Sequence, residues 1–272
     1  MSGSVIVVTS GKGGVGKTLT TANLGTALAQ NGHKVALLDA DIGLRNLDVV
    51  LGLENRIVYH LVDAVQKNCR LDQALIRDKR NANLYLLPSS QVDDKNAVSP
   101  DQMKEICEEL KERFDYVLID CPAGIEQGFR NAIAGADHAL IVVVPEVSSI
   151  RDADRVIGLL SAEGVQMQII VNRLDPQLVR RKDMLDQNDV MDILALEVVG
   201  IVPEDEHVIA STNRGIPAVM NRVSKAGQAY LRIARRLTTE PDLPLPDFTG
   251  NGSFLRKIFS FASGKNSALA HR

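Results

Sequence analysis

The run Gly11-Lys12-Gly13-Gly14-Val15-Gly16-Lys17-Thr18 stands directly after an apolar, β-branched stretch and directly before a helical pattern. Few folds satisfy that order. Glycines without a Cβ let successive backbone N–H groups converge on one anion, and a helix that starts there adds its own unpaired N–H groups and the positive end of its dipole. Lys17 supplies charge for a polyphosphate, and the Thr18 hydroxyl lies where a phosphate-bound Mg²⁺ needs an oxygen ligand. A bare glycine-rich turn is the plainer alternative. The position between strand and helix favours the phosphate loop, and with it a parallel α/β sheet.

The rest of the chain agrees. Short apolar runs at residues 5–9, 34–39, 83–87, 116–120, 139–144, 168–172 and 198–202 read as strands. Several are continuously apolar rather than alternating, the pattern of parallel strands covered on both faces. Helical patterns fall between them, at 18–31, around 59–66, and at 100–113, 151–161, 189–194 and 225–237. The expected fold class is α/β: a single doubly wound, mostly parallel sheet with helices on both faces, spanning residues 1–237. Prolines and glycines at 238–252 predict a flexible linker, followed by an amphipathic helix at 253–263 and a polar tail at 264–272.

Composition excludes several classes. The formal charge of −3 arises from 31 basic and 34 acidic residues, so no global basic field draws the chain to nucleic acid. Cys69, Cys107 and Cys121 lack the spacing of a zinc site or a disulfide framework and suit a reducing cytosol. The amino-terminal segment shows no signal or transit peptide pattern, and no apolar run is long enough to span a bilayer.

Two strand ends run into carboxylates. Asp39-Ala40-Asp41-Ile42-Gly43-Leu44-Arg45 follows one, and Asp120-Cys121-Pro122-Ala123-Gly124 follows Tyr-Val-Leu-Ile. Open α/β sheets bind ligands at such ends, and acids there are costly unless a cation or polar group faces them. Asp120 is a second candidate Mg²⁺ contact beside Thr18. Asn172-Arg173 and Pro203-Glu204-Asp205 end two further strands.

On a helical wheel, Phe254, Leu255, Ile258, Phe259, Phe261 and Ala262 gather on one side, with Arg256, Lys257, Ser260 and Ser263 on the other. An apolar, aromatic face beside a basic one matches an element that lies on an anionic membrane surface. A helix that docks on its own domain is the alternative, and the preceding proline- and glycine-rich tether favours the detachable element.

Taken in order, these loops resemble the MinD/ParA family of deviant Walker A P-loop ATPases, and the match runs from Val5 through the C-terminal patch. Asp41-Ile42-Gly43-Leu44-Arg45-Asn46-Leu47-Asp48, Pro122-Ala123-Gly124-Ile125-Glu126 and Pro145-Glu146-Val147-Ser148-Ser149-Ile150-Arg151-Asp152 point to its division-site branch, because partition ATPases commonly carry Asp-Pro-Gln where this chain has Asp41-Ile42-Gly43. The resemblance implies a Mg²⁺-dependent ATP hydrolase, binding ATP or ADP, that dimerises on ATP and sends Lys12 into the partner subunit's nucleotide site. It implies that Lys17 and Asp120 act at the phosphates, that Asp41 positions the attacking water, and that Asn172, Arg173, Pro203, Glu204 and Asp205 surround the adenine. It also implies partners MinC and MinE on a surface that includes Ser148, Arg151, Asp152 and Asp154, and residence in the cytoplasm and on the cytoplasmic face of the cell membrane, where the system places the division septum. Leu19 departs from the pattern, which commonly has a second threonine or serine; little effect is expected. A DNA-partition ATPase, an iron–sulfur reductase with the same loop and a non-hydrolysing membrane scaffold are the competing readings. The tail, the cysteine placement and the intact Lys12, Lys17, Asp41 and Asp120 respectively argue against them.

Overall fold

The computed structural model describes residues 3–248. One sheet of eight strands organises it: β1 (Ser4–Thr9), β2 (Val35–Asp39), β3 (Ile76–Arg77), β4 (Leu84–Leu87), β5 (Tyr116–Asp120), β6 (His138–Val143), β7 (Gln166–Leu174) and β8 (Val198–Pro203), in the order β3-β4-β2-β5-β1-β6-β7-β8. All neighbours are parallel except β3, which pairs antiparallel with β4. Seven strands fall where the apolar runs predict them. The two-residue β3 is too short to carry a period.

Adjacent residues of β1 face opposite layers. Val5 and Val7 pack with Met103, Ile106, Phe129, Ile150 and Val156 from the helices Pro100–Lys111, Gln127–Ile133 and Val147–Ala162. Ile6 packs with Leu24, Leu28, Tyr230 and Ile233 from the helices Lys17–Gln30 and Lys225–Thr238. The continuously apolar strands therefore have helices on both faces, the reason they do not alternate.

The helix Lys17–Gln30 is buried along most of its length, between the sheet and the helix Lys225–Thr238. Its small residues permit that close approach, and its polar ones are satisfied. Thr20 and Tyr230 share a hydroxyl hydrogen bond of 3.1 Å. Asn23 donates to the Leu19 carbonyl at 2.7 Å and accepts from the Val219 N–H at 2.9 Å.

Several short helices lie outside the sequence expectation, among them Leu47–Leu51, Pro176–Arg181 and His207–Asn213. The helix expected at 151–161 starts earlier, at Val147. After the helix Lys225–Thr238, residues 239–248 form neither helix nor strand, as their prolines predict. They do run against the domain: Leu245 and Phe248 pack on the core, and Arg232 donates to the Pro244 carbonyl at 2.7 Å. The end of the expected linker, the amphipathic patch and the polar tail lie outside the described residues. Among the described residues, no helix is long and apolar enough to cross a membrane.

Candidate functional site

Parallel pairing places Thr9, Asp39 and Asp120 at one end of the sheet. Asp39 stands opposite Asp120 in register, and Val8 stands opposite Asp120 on the other side. The glycine-rich loop leaves β1 at this end and turns into the helix Lys17–Gln30 through Gly16, whose φ of 99° is the left-handed region that favours glycine. A Cβ at Gly16 would lie 2.5 Å from the Asn172 side chain. Asn172 is buried and donates to the Val15 carbonyl at 2.7 Å, so the end of β7 braces the loop.

Lys17 is 8% exposed and donates to Ser10 Oγ at 3.1 Å; Ser10 in turn donates to the Lys12 carbonyl at 2.7 Å. Ser10 was not singled out in the sequence, and it holds both lysines of the loop in register. Asp120 is buried and receives hydrogen bonds from Thr18 and from Thr21 at 3.4 Å. Asp39, also buried, accepts from the Asp41 N–H at 3.0 Å and the Leu47 N–H at 3.2 Å, so it shapes the loop that carries Asp41. That bond to Leu47 also starts the short helix the sequence did not reveal.

The charges do not balance. Burial pushes Asp39 and Asp120 well above the usual carboxylate range, and their mutual repulsion raises Asp39 further. Asp41 is raised by burial as well, with Lys95 and then Lys17 pulling it back. Lys17 is the buried cation among these three acids. A divalent cation beside Thr18 and Asp120 would relieve that excess, and a hydroxyl with a carboxylate is the hard oxygen set Mg²⁺ takes. The residues fit the metal.

Lys12 points elsewhere. Its side chain, 42% exposed, donates to Ser148 Oγ at 3.1 Å and lies 3.5 Å from the Glu146 carboxylate, at the start of the helix Val147–Ala162. A Cβ at Gly11 would lie 2.1 Å from the Asp152 carbonyl, so loop and helix touch through backbone. Arg151 and Asp154 face outward from the same helix, with Asp152 half-buried.

A cleft of about 390 Å³ opens on the other side of the loop, lined by Asn172, Arg173, Pro203, Glu204 and Asp205 together with Leu19, Val208, Ile209 and Tyr230. Leu19, expected to matter little, forms part of the cleft wall. Its apolar body there suits the face of a base better than a phosphate. Asp205, expected near the adenine with its loop, lines the cleft, and its carboxylate is bonded within the fold. One carboxylate oxygen accepts from Ser224 Oγ at 2.6 Å and the Ala226 N–H at 3.0 Å, the other from the His207 N–H at 3.0 Å and ring at 2.8 Å. The carboxylate ties β8 to the start of the helix Lys225–Thr238.

Burial of Asp205 disfavours its charge, but these donors, Ser224 first, hold it well below the usual carboxylate range. A depressed folded value means the stabilisation is complete above the unfolded pKa of about 3.9 and fades as pH falls through the folded value. Asp205→Ala should lower unfolding free energy by about 2–4 kcal/mol at neutral pH in urea denaturation, with the difference from wild type shrinking below pH 4. A cost that does not change with pH would contradict the assignment.

The CobQ/CobB/MinD/ParA nucleotide binding domain family matches residues 6–218. The septum site-determining protein MinD of Synechocystis sp. is 55% identical over 257 residues, covering 93% of this chain and 96% of the relative. Among solved structures, MinD in the MinC:MinD cell division protein complex of Aquifex aeolicus superposes with a TM-score of 0.83 at 51% identity, covering 90% of this chain and 98% of the other. The MinD of Pyrococcus horikoshii, complexed with Mg-ADP, gives a TM-score of 0.79 at 31% identity and covers 88% and 97% respectively. With this loop, these carboxylates and these relatives, the chain belongs to the CobQ/CobB/MinD/ParA nucleotide-binding family and, within it, to the P-loop ATPases of division-site selection.

Proposed function

We propose that the chain binds Mg-ATP between the glycine-rich loop and the cleft behind it, pairs with a second copy across the carboxyl ends of its strands, and hydrolyses ATP only when paired. The observation that carries this reading is Lys12. That the Lys12 ammonium meets Ser148 and Glu146, and not the Lys17 pocket, supports a role toward another molecule's phosphates. Leu44 and Ile125, on the loops after β2 and β5, and Val147, at the start of the helix after β6, stand exposed at 61%, 41% and 70%. A second copy would cover them.

In this reading Thr18 and Asp120 would hold Mg²⁺, which would supply charge neutralisation at the phosphates. Lys17 and the loop N–H groups fix the phosphates, and Asp41 orients the water that attacks the terminal phosphorus as the bond to ADP breaks. A cation delivered across an interface stabilises charge developing on the transferred group. Moving Lys12 off Ser148 and Glu146 would also release the start of the helix that carries Arg151, Asp152 and Asp154. That links nucleotide state to a surface for MinC and MinE. The Aquifex MinC:MinD complex supports the first partner. The C-terminal patch would bring the dimer to the cytoplasmic face of the membrane, and DNA has no part in this reading.

Sedimentation velocity tests the pairing. With Mg-ATP the chain should sediment as a dimer and with Mg-ADP as a monomer. A monomer in both, with ATP bound, would overturn it.

A further inference from the structure

The loop after β4 carries Lys95, which none of the motifs above includes. Both of its ends are pinned. The Gly43 N–H donates to the Ser90 carbonyl at 2.8 Å, fastening the near end to the Asp41 loop. Asn131 donates to the Val98 carbonyl at 2.6 Å, fastening the far end to the helix Gln127–Ile133 behind the Asp120 loop. Ser90 Oγ and a capping box at Ser99 and Gln102 secure the turns next to those anchors. Lys95 is thereby carried where the two carboxylate loops meet. It lines, with Asp41, Pro122, Ala123 and Glu126, a cavity of about 20 Å³, room for one water molecule by the usual limit of about 10–15 Å³.

We propose that Lys95 is a positioning residue for hydrolysis, its ammonium steadying the Asp41 carboxylate, directly or through one water, against the other acids of the site. Asp39 and Asp120 repel Asp41, and Lys17 is occupied by the phosphates once nucleotide binds. Lys95 is the cation left to face Asp41 from outside the phosphate pocket. Burial disfavours the charged form of Asp41, and Lys95 opposes that more than Lys17 does. Because the loop is bonded to the Asp41 loop and to the helix that follows the Asp120 loop, the charge also registers how those two elements sit relative to each other. This inference rests on the proposed role of Asp41.

The test uses the full chain and steady-state ATP hydrolysis at saturating Mg²⁺. Lys95→Met should lower kcat by roughly tenfold, less than for a donor lost from the reacting atoms themselves, with KM for ATP within about twofold. Lys95→Arg, which keeps the charge, should retain kcat to within about threefold. Unchanged kcat in Lys95→Met, or equal losses in the Met and Arg variants, would overturn the assignment. Asp41→Ala is the separating control. If it hydrolyses ATP normally, the role of Asp41 itself fails; if it is inactive while Lys95→Met is normal, only the Lys95 inference falls.

Discussion

Lys12→Ala should lose ATP hydrolysis by about 10³-fold or more, the scale of a cation supplied across an interface to a transferring phosphoryl group. It should also sediment as a monomer in Mg-ATP, yet still bind nucleotide and unfold at the wild-type temperature. The last expectation follows from the structure. Lys12 is partly exposed, and its contacts with Glu146 and Ser148 are surface interactions whose typical worth is about 0–1 kcal/mol. The loop itself is held by Ser10, Lys17 and Asn172, none of which needs the Lys12 side chain. A Lys12→Ala protein that dimerises on ATP and hydrolyses it would remove the trans role. One that unfolds would show that the side chain serves the fold.

Removing residues 254–272 should abolish association with anionic vesicles while leaving ATP binding and ATP-dependent dimerisation intact. Each large apolar side chain of Phe254, Leu255, Ile258, Phe259 and Phe261 contributes about 1.5–3 kcal/mol when buried in lipid, an upper estimate. Arg256 and Lys257 add about 1 kcal/mol each near an anionic surface. Ordering the segment would oppose this by about 1–2 kcal/mol per residue, so a single copy should bind marginally. Two copies on the proposed dimer would raise apparent affinity by roughly 10²–10⁴ through effective concentration. Truncation should therefore cost the whole of the nucleotide-dependent binding. Among the described residues, Leu245 and Phe248 pack on the core, and both precede the deleted segment.

How much of this was legible in the sequence follows from the range of the forces involved. The glycine-rich loop and the central strands are local patterns, and the sheet places Gly11 to Thr18, Asp39 and Asp120 together because parallel strands end on one side. The β-strand Ile76–Arg77 and the helix Leu47–Leu51 are too short to show a period. The helix is set by Asp39, eight positions earlier, which accepts from the Leu47 N–H. The early start at Val147 has no capping side chain to announce it; Ser149 Oγ instead accepts from the Val144 N–H. The cleft combines Leu19 near one end of the chain with Tyr230 near the other, and Asp205 finds Ser224 and Ala226 only after the last helix has docked. Polar strand ends read as ligand contacts until the fold shows which of them the fold itself uses. Lys95 is a solitary charge in a polar loop, visible as a site residue only because Gly43 and Asn131 hold that loop beside Asp41.

The central claim is that the nucleotide site and the C-terminal segment form one switch, and co-sedimentation of the full chain with anionic vesicles tests it most directly. Mg-ATP should bring the protein down with the vesicles and Mg-ADP should leave it in the supernatant. Equal pelleting in the two nucleotides, or pelleting in neither, would contradict the account.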